Sequence, residues 1–129
     1  LTGAGISTES GIPDYRGPTA PVRRRAPIQH QAFVTDPAMR QRYWARSMLG
    51  WPKFRAFAPN SAHHALARWS QVSGVVTQNV DRLHQKAGQS GVLELHGALA
   101  EVICLSCRAR VERDALQLEL EASNGHAFE

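Results

Sequence analysis

The 129 residues are 43% hydrophobic and 20% charged, which suits one globular domain or part of a larger one and excludes a disordered or fibrous chain. No apolar run approaches the ~18 residues that a membrane-spanning helix needs, and two cysteines are too few for a disulfide framework and fit a reducing compartment. The net charge of +4 is uneven: residues 1–70 carry ten Lys and Arg against three acids, residues 71–129 five against eight, so an anionic small molecule on the first half explains the charge as well as nucleic acid does.

The chain opens LTGAGIS, with no initiator methionine and no room for a strand ahead of the glycines. A glycine-rich phosphate turn needs such a strand, so an internal fragment cut at the end of its first strand is expected. Gly3 to Ser7 reads as a tight turn entering a short helix with Ser7 as its N-cap. Gly11 to Gly17 breaks it, and residues 17–35, with Pro18, Pro21, Pro27 and the run Arg23-Arg24-Arg25, read as a long surface loop. The basic run has no interleaved aromatics, so it reads as a solvated loop in preference to a nucleic-acid patch.

Asp36-Pro37 predicts a helix start, with Gly50 just past its end and Met39, Tyr43 and Leu49 on its buried side. A second helix follows from Asn60, with Ala62, Leu66 and Trp69 on one face. Val75 to Thr77 predicts a short buried strand with a polar end, Leu83 to Ala87 a helix stopped by Gly88, and Val92 to His96 another strand stopped by Gly97. Val102 to Cys104 opens a small cysteine-bearing element. In the tail, the alternation of Leu116, Leu118 and Leu120 favours a strand, whereas the surrounding Glu, Gln and Ala favour a helix. Alternating strands and helices predict a parallel α/β sheet.

Five motifs carry chemistry. Gly3-Ala4-Gly5 lets main-chain N–H groups approach a diphosphate at a helix start, or is a plain turn, since Thr8 stands where the usual fingerprint has its third glycine. Asp14-Tyr15-Arg16 is a surface turn or a ligand loop offering an acid, a ring and a guanidinium. Gln78, Asn79 and Asp81 gather at a strand's carboxyl end, where open α/β sheets bind ligands; amides there satisfy ribose hydroxyls and Asp81 accepts from a carboxamide. His96, between a strand and Gly97, is a general base or a structural histidine. Cys104 and Cys107 are half of a zinc site or two ordinary thiols.

Taken in this order, GAGIS, GIPDYR, PNSAHHAL, TQNVDRLH, LHG and CLSC resemble the sirtuin family of NAD-dependent protein deacylases across nearly the whole chain. RQRYWARSMLGWP is most similar to the class II branch, that of the mitochondrial sirtuin associated with ADP-ribosylation and unusual acyl groups. The resemblance implies a Rossmann-like parallel sheet with an inserted small zinc-binding module, only partly covered here. Residues 1–103 would be the partial NAD-binding domain, with cofactor loop and helices inserted at about 17–70, and 104–129 the start of the zinc module. It also implies roles by position. Gly3, Ala4, Gly5, Ile6 and Ser7 would bind the diphosphate of NAD+, and Asp14, Tyr15 and Arg16 would form the wall around nicotinamide. Gln78 and Asn79 would hold the ribose, with Asn79 also catalytic, and Val80 and Asp81 would line the nicotinamide pocket. His96 would be the base that takes a ribose proton as the acyl group passes to ADP-ribose and nicotinamide leaves. Cys104 and Cys107 would hold a structural Zn2+ with a second pair of ligands outside this chain.

Tyr43 and Arg46, three apart on one helix face, resemble the pair with which sirtuins selective for acidic acyl groups bind the acyl carboxylate. Either they do so here, giving a preference for glutaryl or a related chain over acetyl, or Tyr43 packs in the core and Arg46 is solvated. The expected partners are acyl-lysine proteins and NAD, with neither nucleic acid nor membrane. Mono-ADP-ribosyl transfer and a non-catalytic NAD or ADP-ribose module are the alternatives, and the isolated fragment is expected to be inactive. Thirteen arginines against two lysines suit a GC-rich bacterial genome, so a cytoplasmic location is expected if bacterial and a mitochondrial one if eukaryotic.

Overall fold

Residues 1–14 and 27–125 are described by the computed structural model. Tyr15, Arg16 and the Arg23–Arg25 run lie outside the described residues. The strand next to the candidate site is β1 (Val75–Thr77), which runs parallel to β2 (Val92–Glu94) in the register Val75↔Val92 and Thr77↔Glu94. On its other side Thr2 makes a parallel bridge to Thr77, with Thr2 N–H donating to Val76 and Gln78 N–H donating back to Thr2. β1 is therefore central despite its three residues, and the expected parallel α/β arrangement is present. The strands start at a close approach of two glycines: a Cβ on Gly74 would lie 2.7 Å from the Gly91 carbonyl oxygen, and Gly91 has φ of +62°. β2 ends at Glu94, two residues before His96, although Leu95 N–H still reaches the Thr77 carbonyl.

The Gly3–Ser7 turn continues as a 3₁₀ helix over Ala4–Ser10. Gly3 occupies its N-cap, so Ser7 is an interior residue and not the expected cap. Within the expected loop lies α1 (His30–Thr35), fixed by tertiary contacts that local propensity does not encode. Phe33 packs edge-on against Tyr43 at 5.0 Å, and Arg40 donates to the carbonyls of Phe33 and Val34 at the end of α1.

The Asp36 carboxylate caps α2 (Pro37–Arg55) through the N–H groups of Ala38 and Met39. This helix does not stop at Gly50 as expected but runs on through Pro52. Proline lacks the N–H that would serve the Met48 carbonyl four residues back, and the Gln117 side chain supplies that donor at 3.0 Å. The buried side is Met48 and Trp51, whereas Leu49 is exposed. Asn60 caps α3 (Ser61–Arg68) in a capping box with His63. α4 (Leu83–Lys86) ends at Gly88, φ +89°.

β3 (Glu101–Ile103) and β4 (Arg110–Glu112) form an antiparallel hairpin that spans the expected 103/104 boundary. The tail is helical, α5 (Arg113–Asn124), packed on α2. Its most buried residues are Arg113 and Gln117, with Leu116 and Leu120 half-buried on the same face and Leu118 exposed; the leucine alternation misleads because two of its three members are four apart and share one helix face. No helix among the described residues is long and apolar enough to cross a membrane.

Candidate functional site

Beyond the carboxyl end of β1, the polar residues of TQNVD turn back onto the Gly3–Ser7 segment and lock it. Asn79 donates through its side-chain amide to the Gly3 carbonyl at 3.0 Å and to Ser7 Oγ at 3.1 Å. The buried Ser7 hydroxyl donates in turn to Asp81 Oδ2 at 2.7 Å, while Asp81 Oδ1 accepts from Leu83 N–H at 2.9 Å at the start of α4. Both Asp81 oxygens and the Ser7 hydroxyl are thus used inside the protein.

Behind this lock runs a chain of hydrogen bonds absent from the sequence reading. Thr2 Oγ1 donates to Thr77 Oγ1 at 2.9 Å, so it accepts from His84 Nε2, also at 2.9 Å. Thr77 Oγ1 accepts as well from Asn79 N–H at 3.1 Å. His84 lies 5.0 Å from the ring of His63, and both are fully buried. Burial, and for His63 the neighbouring His84 ring, push both below the ordinary histidine value, so they are neutral near pH 7. Asn60 ties α3 to the same segment through the Ile6 carbonyl and Ser10 Oγ. The capping signature at Asn60 could have located this tie; nothing local marks His84 or Thr2.

His96 lies on the exposed side, with Nδ1 3.0 Å from the Gln78 carbonyl. A carbonyl only accepts, so Nδ1 carries a proton, and in the neutral ring the lone pair is then on Nε2, the tautomer a general base requires. The Val80 carbonyl accepts from Leu99 N–H. Glycine at 3 and 5 is not demanded by protein packing, since a Cβ at either would meet nothing within 4 Å. That open space beside the main chain is what a diphosphate approaching Gly3 to Gly5 requires. Asp14 is half-buried at the end of the described stretch.

The remaining expected residues lie elsewhere. Tyr43 and Arg46 line a separate cavity of about 770 Å³ between α2, α5 and the residues after His96, with Ala98 and Leu99 on its wall. Tyr43 is exposed and not part of the expected buried side of α2, although its ring makes edge contacts with Phe33 and Trp44. Cys104 and Cys107 are exposed on the turn joining β3 and β4, closed by Cys104 N–H to Ala109 and Arg108 N–H to Cys104. The N–H groups of Cys107 and Ser106 hold the Cys104 thiol below its ordinary value. Two thiols on one knuckle fit half of a tetrahedral sulfur site; among the described residues no third ligand joins them.

The hairpin is tied to the site by Arg82, which takes the left-handed conformation at φ 56°. It pairs with Glu94 on β2 and with Glu101 on β3, and Glu101 also pairs with Arg110. Arg82 foremost, then Arg110, keeps Glu101 below the usual carboxylate range.

Comparison with known proteins places this geometry. A family profile described as "Sir2 family" matches residues 3–127. The NAD-dependent protein deacylase Sirt4 of Drosophila melanogaster is 55% identical over 130 residues, covering 96% of this chain and 42% of that protein. NAD-dependent protein deacetylase 3 of Pseudomonas syringae pv. tomato is 52% identical over 127 residues, covering 96% of this chain and 45% of its own length. A solved complex of Sir2 with p53 peptide and NAD+ superimposes with a TM-score of 0.76 at 38% identity, over 96% of this chain and 50% of that one. The chain spans less than half the length of these curated relatives.

Proposed function

The chain belongs to the Sir2 family, and from that premise we propose that it furnishes the nucleotide-side part of an NAD-dependent protein lysine deacylase. The observation that carries the proposal is the pairing of a prebuilt strand-end lock, Asn79–Ser7–Asp81, with an exposed histidine anchored through Nδ1 to the Gln78 carbonyl. A plain nucleotide-binding module has use for the first and none for the second.

NAD, when bound, supplies an activated ribose from which nicotinamide departs as the acyl oxygen attacks. The residues here hold and orient it. Gly3, Ala4 and Gly5 present open main chain to the diphosphate, with Ile6 and Ser7 continuing into the helix. Gln78 and Asn79 serve the ribose, and Val80 with Asp81 borders the nicotinamide. His96 Nε2 takes a proton from a ribose hydroxyl, and Gln78 keeps that ring in its basic tautomer. Asp14, Tyr15 and Arg16 would serve the nicotinamide end of the cofactor. Cys104 and Cys107 supply two of the four ligands of a structural Zn2+, which would clamp the β3–β4 turn.

The acyl end of the substrate enters the cavity that Tyr43 and Arg46 share, where a guanidinium fork suits a carboxylate. A chain such as glutaryl is therefore preferred to acetyl. The test is nicotinamide release from NAD by the full-length protein, followed by mass spectrometry with and without an acyl-lysine peptide. Release that needs the acylated peptide and is lost in His96→Ala, with NAD binding retained, is expected. Release that ignores the peptide would move the reading to ADP-ribosyl transfer.

A further inference from the structure

The cavity beside α2 holds a second cation that the motif reading did not reach. Arg113, the first residue of α5, is 2% exposed, and its guanidinium lines the same cavity as Tyr43 and Arg46. Nη2 donates to Ser47 Oγ at 3.1 Å, and the guanidinium carbon lies 5.2 Å from the centre of the Trp51 ring and 6.0 Å from that of Trp44. Nη1 is buried and has no hydrogen-bond partner among the described residues.

The nearby acids are engaged elsewhere. Asp114 accepts from Trp51 Nε1 at 2.7 Å and from Arg55, and Glu101, although on the cavity wall, is paired with Arg82 and Arg110. A buried guanidinium without a carboxylate partner is costly. Two tryptophan faces offset part of that cost, but they leave Nη1 and its protons directed at no acceptor. An anion on a ligand that enters the cavity supplies the missing acceptor.

We propose that Arg113 is a specificity-determining residue that recognises the carboxylate of an aliphatic, carboxylate-ended acyl chain, from the inner wall of the cavity that Tyr43 and Arg46 line. The apolar walls, Trp44, Trp51, Phe54 and Leu99 among them, accept the methylenes, and the two arginines meet the terminal charge. The identity of the ligand rests on the deacylase reading above; the anion site itself rests on Arg113.

Two measurements on the full-length protein test it. In the first, kcat/KM is compared for glutaryl-lysine and butyryl-lysine in one peptide, chains of similar length that differ in the terminal charge. Losing one charge-assisted contact is expected to lower the glutaryl-to-butyryl ratio about tenfold in Arg113→Gln, with Arg113→Lys recovering part of it. An equal fall for both peptides would reduce Arg113 to a packing residue and overturn the proposal while leaving the deacylase standing. In the second, free glutarate is titrated while tryptophan fluorescence is followed, since Trp44 and Trp51 flank the guanidinium. A saturable change that butyrate does not give and Arg113→Gln lacks is expected. No saturable change in the wild type, or the same change in Arg113→Gln, overturns the proposal. If neither peptide turns over, the deacylase reading fails and the glutarate titration decides the anion site alone.

Discussion

Two polar regions of this molecule are built in opposite ways. Around β1 the polar side chains of Asn79, Ser7, Asp81, Thr77, Thr2 and His84 form a continuous set of hydrogen bonds, and the atoms left without a partner among the described residues, His84 Nδ1 and His63 Nε2, belong to neutral rings. In the cavity between α2 and α5, Arg113 keeps one nitrogen buried and unpartnered among the described residues. The first region is a frame: its side chains fix the main-chain turn Gly3–Ser7. The second leaves a buried charge incompletely paired among the described residues. A frame tolerates little change in shape, and an incomplete site tolerates little change in charge.

The largest expected effect sharpens the role of the group between the two regions. His96→Ala in the full-length protein is expected to lower acyl-dependent turnover by roughly 10²–10⁴-fold, the range for loss of a general base. NAD affinity measured calorimetrically is expected to change little, because the ring bonds only a carbonyl at the frame's edge. Next comes the frame's foundation. Gly74→Ala would press a Cβ to 2.7 Å from the Gly91 carbonyl oxygen, so the strands must part. A loss of about 1–3 kcal/mol by denaturant unfolding is expected, larger than that of Gly88→Ala, where open space leaves only the strain of a positive φ.

Gln117→Ala should break the other region by removing the donor that serves the Met48 carbonyl left unpaired by Pro52. About 1–3 kcal/mol is expected for an orphaned buried acceptor, with Trp51 fluorescence reporting the loosened end of α2.

The smallest effect is on pH. His63 and His84 sit below the ordinary histidine value in the fold, chiefly through burial, with Asp81 opposing. The unfolded chain takes up these protons near pH 6.5, the folded one only at lower pH. Between those points the unfolded state binds more protons, so stability falls as pH falls below about 6.5. The denaturant midpoint is expected to drop from pH 7.5 to 5.5, and to drop less in His84→Gln.

The two runs that build the frame were legible in sequence because their residues are contiguous and chemically distinctive, but that Asn79, Ser7 and Asp81 bond one another was not, since those contacts join residues 72 and 74 apart. Gly3 to Ser7 and Gln78 to Asp81 are short runs at turns, and turns are where residue type and backbone conformation are most tightly coupled. His84 and Thr2 were not legible, since their roles come from contacts 82 residues apart. On the cavity side, Asp36 announced the start of α2 by capping chemistry, but its end was hidden. Gly50 and Pro52 are local stop signals overridden by Trp51 packing and by a donor from Gln117. Arg113 was not legible, because a lone arginine at the start of a helix reads as solvent-facing until the tryptophans around it are placed.

The contrast between frame and incomplete site is tested most directly by one pair of variants in the full-length protein, Ser7→Ala and Arg113→Gln, with KM measured separately for NAD and for a glutaryl-lysine peptide. Ser7→Ala is expected to raise KM for NAD and leave that for the peptide near its original value. Arg113→Gln is expected to do the reverse. If each variant raised both constants together, the two regions would be one cooperative structure and the division drawn here would be wrong.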